Sequence, residues 1–135
     1  LIKENLIDPK NIILVGIRNP DVKEVGVMKD YGIKYFTCRQ LFDNLQDSCD
    51  AIMEQARSFT NLYISIDIDT LDPAFAPGTG YLEPGGISSS DLLYVLGRMK
   101  KMKNLDMVDL VEINPKKDLN NLTISLGRKI LEAFS

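Results

Sequence analysis

The chain has 135 residues, enough for one domain with a core of its own. With 44% apolar and 26% charged residues and a mean hydropathy of −0.07, the composition is that of a globular protein, and no apolar run reaches the length of a membrane span. A net charge of −3 and a pI near 4.9 give no pull toward nucleic acid or an anionic membrane.

The sequence contains no histidine. This excludes serine or cysteine nucleophiles activated by histidine within the chain and the common Cys/His zinc sites. Acid–base work done here falls to Asp, Glu, Lys or Tyr. The two cysteines, Cys38 and Cys49, are too few for a disulfide framework and suit reduced thiols in a cytoplasmic setting.

In chain order, Leu1 to Leu6 reads as the tail of a helix already under way, and therefore as a sign of a fragment. Asn11 to Ile17 is strongly β and reads as a buried strand. Asn19 followed by Pro20 predicts an N-cap and first helical residue, with a short helix ending at Gly32. Ile33 to Thr37 is a short strand. Residues 39 to 59 place Leu41, Leu45, Cys49, Ile52, Met53, Ala56 and Phe59 at helical spacing, predicting one amphipathic helix with Cys49 in its core.

Leu62 to Ile68 reads as a strand buried on both faces. It runs into Asp67-Ile68-Asp69 and then into a loop rich in proline and glycine. On a strand, residues i and i+2 point the same way, so Asp67 and Asp69 are expected to aim their carboxylates together, Asp67 from a buried position. Paired carboxylates of this kind suit a hard divalent cation such as Mg, Mn or Ca. The plain alternative is that aspartates are common at strand ends and in turns. Ser88 with Asp91 then predicts a capped helix bearing Leu92, Leu93, Leu96, Met99 and Met102, with the lysines at 100, 101 and 103 in its last turn. Met107 to Ile113 is a fourth strand ending in Glu112-Ile113-Asn114-Pro115. A closing helix packs Leu119, Leu122, Leu126, Ile130 and Phe134.

Strands alternating with helices imply βαβ units and a parallel sheet. Ligands of such sheets sit beyond the carboxyl ends of the strands, where Asp67, Asp69 and Glu112 fall.

The run Ser65-Ile66-Asp67-Ile68-Asp69-Thr70-Leu71-Asp72-Pro73, continued by Pro77-Gly78-Thr79-Gly80 and Gly85-Gly86, closely resembles the signature of the ureohydrolases (arginase, agmatinase, formiminoglutamase). Glu112-Ile113-Asn114-Pro115 is similar to that family's last strand end. Val15-Gly16-Ile17-Arg18 and Gly32-Ile33-Lys34-Tyr35-Phe36 resemble its arginase branch in particular.

The resemblance implies the C-terminal portion, residues 1 to 135, of a three-layer α/β/α parallel-sheet domain of the arginase type, with about four strands and their covering helices. It implies hydrolysis of a guanidino or formimino C–N bond by two Mn²⁺ ions bridged by hydroxide. Asp67 would bridge the ions and Asp69 would bind one of them. Glu112 would meet the substrate guanidinium, and Thr79 would line the site. Asp21 and Glu24, following Arg18, would contact an α-amino group, favouring L-arginine over agmatine. Asp72 would order the turn before Pro73. A homo-oligomer, trimer or hexamer, is the family expectation.

Two departures qualify the resemblance. Tyr81-Leu82 stands where the family usually has Thr-Pro. The G-G-D-H and D-A-H-x-D motifs, which carry the other four metal ligands, are absent from this sequence, as is the histidine that shuttles protons. The chain alone is therefore expected to be inactive without the missing N-terminal half, a strand of which would lie between its first and third strands. Agmatine or another linear amidine is the alternative substrate. A non-catalytic partner subunit is the alternative role. A haloacid-dehalogenase-type phosphatase, suggested by Asp67-Ile68-Asp69-Thr70, lacks the G-D-x-x-x-D that should come after it.

Overall fold

A computed structural model describes residues 2–135. It divides into two compact units, 1–56 and 57–135, each built around a pair of parallel strands. Among the described residues no helix is long and apolar enough to cross a membrane.

In the first unit, residues 2–7 form turns and bends rather than the end of a helix. Asn5 there takes a left-handed φ of 55°, which stops helical propagation; Leu1 lies outside the described residues. β1 (Ile13–Ile17) pairs in parallel with β2 (Lys34–Thr37). The register slips between Val15 and Ile17, where Gly16 has φ 79°. That glycine supplies the left-handed backbone of a bulge, and the Cys38 thiol donates to its carbonyl at 3.1 Å.

α1 (Val22–Asp30) begins two residues later than the Asn-Pro signal suggested, because Asn19 is itself left-handed at φ 46°. Its cap is Asp21, in a reciprocal capping box with Glu24. The expected long helix is two helices, α2 (Cys38–Asp43) and α3 (Leu45–Ala56). Asn44 leaves helical geometry between them and its side-chain oxygen accepts from the Asp47 amide at 3.2 Å. This is the local side-chain competition that makes asparagine a helix starter. Cys49, Ile52, Met53 and Ala56 are buried, as their spacing predicted.

In the second unit, β3 (Leu62–Asp67) pairs in parallel with β4 (Leu105–Val111). The long connection holds α4 (Ser89–Met99), capped by Ser88 as expected. Lys100 is its C-cap, so the three lysines come after the helix instead of completing its last turn. α5 (Leu122–Glu132) closes the chain and packs on β4: a Cβ on Gly127 would stand 2.5 Å from Ile113 Cδ1 and 3.1 Å from Leu110 Cδ2. Its buried face is Thr123, Gly127 and Ile130, whereas Leu119 and Leu122 are exposed, contrary to the expected packing. Leu119 lies ahead of α5 and Leu122 is its first residue, outside the Thr123–Gly127–Ile130 face.

β3 is not buried on both faces. Leu62 and Ile66 are buried, while Tyr63 is 55% exposed and Asp67 is also exposed, with Ser65 on the same strand. Alternation explains the split: Ile66 pairs with Leu110, on the face that α5 covers, and Tyr63 pairs with Met107 on the other.

Candidate active site

Parallel pairing brings two strand ends together. Asp67, the last residue of β3, is in register with Val111, the last of β4 and the residue before Glu112. Neighbouring strands lie about 5 Å apart, so the candidate metal acids and the candidate guanidinium partner share one end of one sheet.

Asp67 is exposed rather than buried, because it falls on the uncovered face of β3. Nor does strand alternation align Asp69 with it. Residues Ile68–Thr70 form a 3₁₀ turn capped by Asp67, whose Oδ1 accepts from the Asp69 amide at 3.0 Å. The two acids are neighbours through this turn. Asp69 is half-buried.

Asp72 orders the loop beyond it, in agreement with the sequence expectation. Its Oδ1 accepts from Ala74 N at 3.0 Å and its Oδ2 from Gly85 N at 2.8 Å. Ile87 N donates to Thr70 O and Asp72 N to Ile87 O, both at 3.1 Å. The loop from 71 to 87 is thus closed at its neck. Gly86 sits in that neck, where a Cβ would meet Asp72 N at 2.3 Å.

The tip of the loop folds against the end of β4. Thr79 bridges Ile113, and Asn114 N donates to Gly78 O at 2.7 Å. Thr79 is 1% exposed, and its hydroxyl donates to Tyr81 O at 3.1 Å. Gly80 carries the backbone past Glu112: a Cβ there would lie 3.7 Å from Glu112 Oε2. Lys117 Nζ donates to Gly80 O at 3.2 Å. Glu112 itself is exposed and left-handed, at φ 66°. For a residue with a Cβ this conformation costs roughly 1–2 kcal/mol, and such strain collects at functional sites. Tyr81 and Leu82, the departures from the family pattern, are both exposed.

Asp21 and Glu24 belong to the first unit. Asp21 Oδ1 accepts from the Lys23 and Glu24 amides at 2.7 and 2.9 Å, and Glu24 Oε2 from the Asp21 amide at 2.9 Å. Capping accounts for both acids in this structure.

Asp67 and Asp69 supply the hard oxygen donors that a divalent cation takes. No group of three or more His, Cys, Asp or Glu side chains that could hold a metal occurs among the described residues. The donor set fits one side of a metal site and does not complete it.

The family model described as "Arginase family" matches residues 1–135. The chain belongs to the arginase family. The arginase of Entamoeba histolytica is 40% identical over 135 residues, covering 99% of this chain and 44% of that protein. Its crystal structure, in complex with L-ornithine, superimposes with a TM-score of 0.88 at 37% identity, over 95% of this chain and 44% of that one. The proclavaminate amidinohydrolase of Streptomyces clavuligerus is 33% identical over 132 residues, 96% of this chain and 42% of that protein. The chain thus spans less than half the length of these family members, and its parallel strands with flanking helices are a partial arginase-type α/β fold.

Sequence reasoning missed the residues that hold the loop tip. Thr123, in the first turn of the last helix, and Asp118, ahead of it, both reach Gly78. Asp118 precedes the helix by four residues, outside the usual cap position, and so carries no standard signal. The bond from Tyr63 Oη to Asp109 Oδ2 was equally invisible, because it depends on the β3–β4 register. That hydrogen bond lowers the Asp109 pKa and raises that of Tyr63.

Proposed function

We propose that this chain provides one half of the active site of a manganese-dependent hydrolase that cleaves a guanidino C–N bond, with L-arginine as the preferred substrate. The observation that carries this reading is the register of Asp67 with Val111, which sets the D-x-D acids beside Glu112 at one sheet end. Asp67 and Asp69 would hold one side of a pair of Mn²⁺ ions, the remaining ligands coming from a segment equivalent to the N-terminal half of the longer relatives. When bound, such ions lower the pKa of water and stabilise charge on both sides of the displacement.

Glu112 meets the substrate's cationic end. A planar guanidinium presents paired donors to a carboxylate, a bidentate geometry that fixes orientation as well as binding it. The Gly80 backbone walls that carboxylate on one side. The relative crystallised with L-ornithine favours arginine. The exposed Tyr81-Leu82 pair and the likeness to an amidinohydrolase named for proclavaminate favour, as a second reading, another linear amidine.

Urea release from L-arginine and from agmatine, with Mn²⁺ present, tests the reading. The chain alone is expected to release none. Mixed with or fused to the N-terminal half of the Entamoeba histolytica arginase, it is expected to release urea, faster from arginine. Turnover by the chain alone refutes the shared-site reading, and silence in both favours a non-catalytic partner role.

A further inference from the structure

We infer that Asp118 and Thr123 are positioning residues that hold the Gly78–Gly80 loop against Glu112, and so set the substrate-binding wall rather than merely the stability of the last helix. The inference rests on the reading of Glu112 as the partner of the substrate's guanidinium.

α5 starts without a side-chain cap of its own. Asn121, at its N-cap position, is left-handed at φ 55° and makes no cap hydrogen bond. The first amides of a helix need acceptors, and an anion there also meets the positive end of the helix dipole. Asp118 takes that place from outside the helix: Oδ1 accepts from Thr123 N at 3.0 Å and Oδ2 from Ile124 N at 2.9 Å. Both oxygens are committed, so the carboxylate holds the first turn of α5 at Thr123 and at Ile124.

Thr123 is fully buried, and its hydroxyl does not turn back into its own helix. It accepts from Gly78 N at 2.7 Å. From the other side, Asn114 N donates to Gly78 O at 2.7 Å. Residue 78 is therefore gripped at both ends of its backbone, between the start of α5 and the end of β4. Contact with Asp118 leaves no room for a side chain there: a Cβ on Gly78 would stand 2.7 Å from Asp118 Cβ. Two residues on, Gly80 passes the Glu112 carboxylate, with its own carbonyl held by Lys117 Nζ. A chain of direct contacts thus runs from Asp118 through Thr123 and Gly78 to the wall beside Glu112.

Four variants in the protein reconstituted with the N-terminal half test this. Thr123→Val removes the hydroxyl acceptor and Thr123→Ser keeps it; Asp118→Asn removes the charge and one acceptor, and Asp118→Glu keeps both. Thr123→Val and Asp118→Asn are expected to raise KM for arginine about tenfold, the scale of one lost buried hydrogen bond, with kcat per folded molecule little changed. Thr123→Ser and Asp118→Glu are expected to stay within about twofold of the parent. A purely structural role lowers the folded fraction, and hence apparent kcat, while leaving KM alone; that result overturns the inference.

Hydrogen exchange gives a readout independent of turnover. The Gly78 amide is expected to exchange at least about tenfold faster in Thr123→Val than in Thr123→Ser, since only the serine keeps a hydroxyl to accept from it. Equal rates overturn the inference whether or not the parent releases urea. An inactive parent with the exchange difference intact points instead to failure of the arginine-hydrolase reading.

Discussion

Glu112 combines three properties at the residue scale: an exposed carboxylate, a left-handed backbone and a loop backbone at its flank. Packing alone gives no reason to place glutamate in that conformation, where glycine or asparagine is less costly. If the carboxylate receives a guanidinium, Glu112→Gln keeps the shape and removes the charge. In the reconstituted protein kcat/KM for arginine is expected to fall by the equivalent of about 2–4 kcal/mol, as for one partner of a hydrogen-bonded charge pair. Steady-state kinetics check this, and an unchanged kcat/KM removes Glu112 from the site. Asp67 differs in kind. It already caps the turn that carries Asp69, so its substitution would disturb local backbone along with any ion.

At the scale of elements, the start of α5 depends on one side chain four residues upstream. Partial burial alone would raise the Asp118 pKa, but the amides of Ile124 and Thr123 outweigh it and hold the carboxyl below the usual range. A carboxyl depressed in the folded state binds its proton more weakly there than in the unfolded chain. Its contribution to stability is therefore fully present above the ordinary carboxylate pKa of about 4 and is lost as pH falls through the lower folded value. Urea unfolding of the parent and of Asp118→Asn over a range of pH is expected to show a gap at neutral pH that closes on acidification. A gap independent of pH would mean that Asp118 acts through shape and not through charge.

At the scale of the molecule, the strands of the described residues make two two-stranded parallel sheets. Each of them is consequently an edge strand, and edges invite pairing with another chain. The uncovered face of β3 and β4 adds apolar surface: Tyr63 is 55% exposed and Met107 62%. Two strands with one face covered are marginal by themselves. The isolated chain is expected to self-associate with rising concentration, measured by light scattering, and the N-terminal half of a relative is expected to suppress that association. A monodisperse monomer at high concentration would show that these edges and faces need no cover.

The sequence by itself determined what depends on neighbours along the chain: the presence of the β runs, the buried faces of α3 and α4, the Ser88 cap and the turn ordered by Asp72; the strand ends moved, β1 to Ile13–Ile17 with only Gly16 buried and β4 to Leu105–Val111. It also determined family membership, since the motifs from Asp67 to Gly86 and from Glu112 to Pro115 are contiguous. It misjudged Asn19 and Asn44, where left-handed backbone and a side-chain acceptor within one turn outweighed helical periodicity. Burial of Asp67 and of β3's second face was overestimated, because an apolar run records hydrophobicity and not which face a helix reaches. Only the tertiary structure decided which strand ends meet, that Asp69 sits in a turn rather than on a strand, and that Asp118 grips a loop forty residues before it in the chain. Those contacts are made by register and by close backbone approach at Gly78 and Gly127, and neither leaves a local pattern in the sequence.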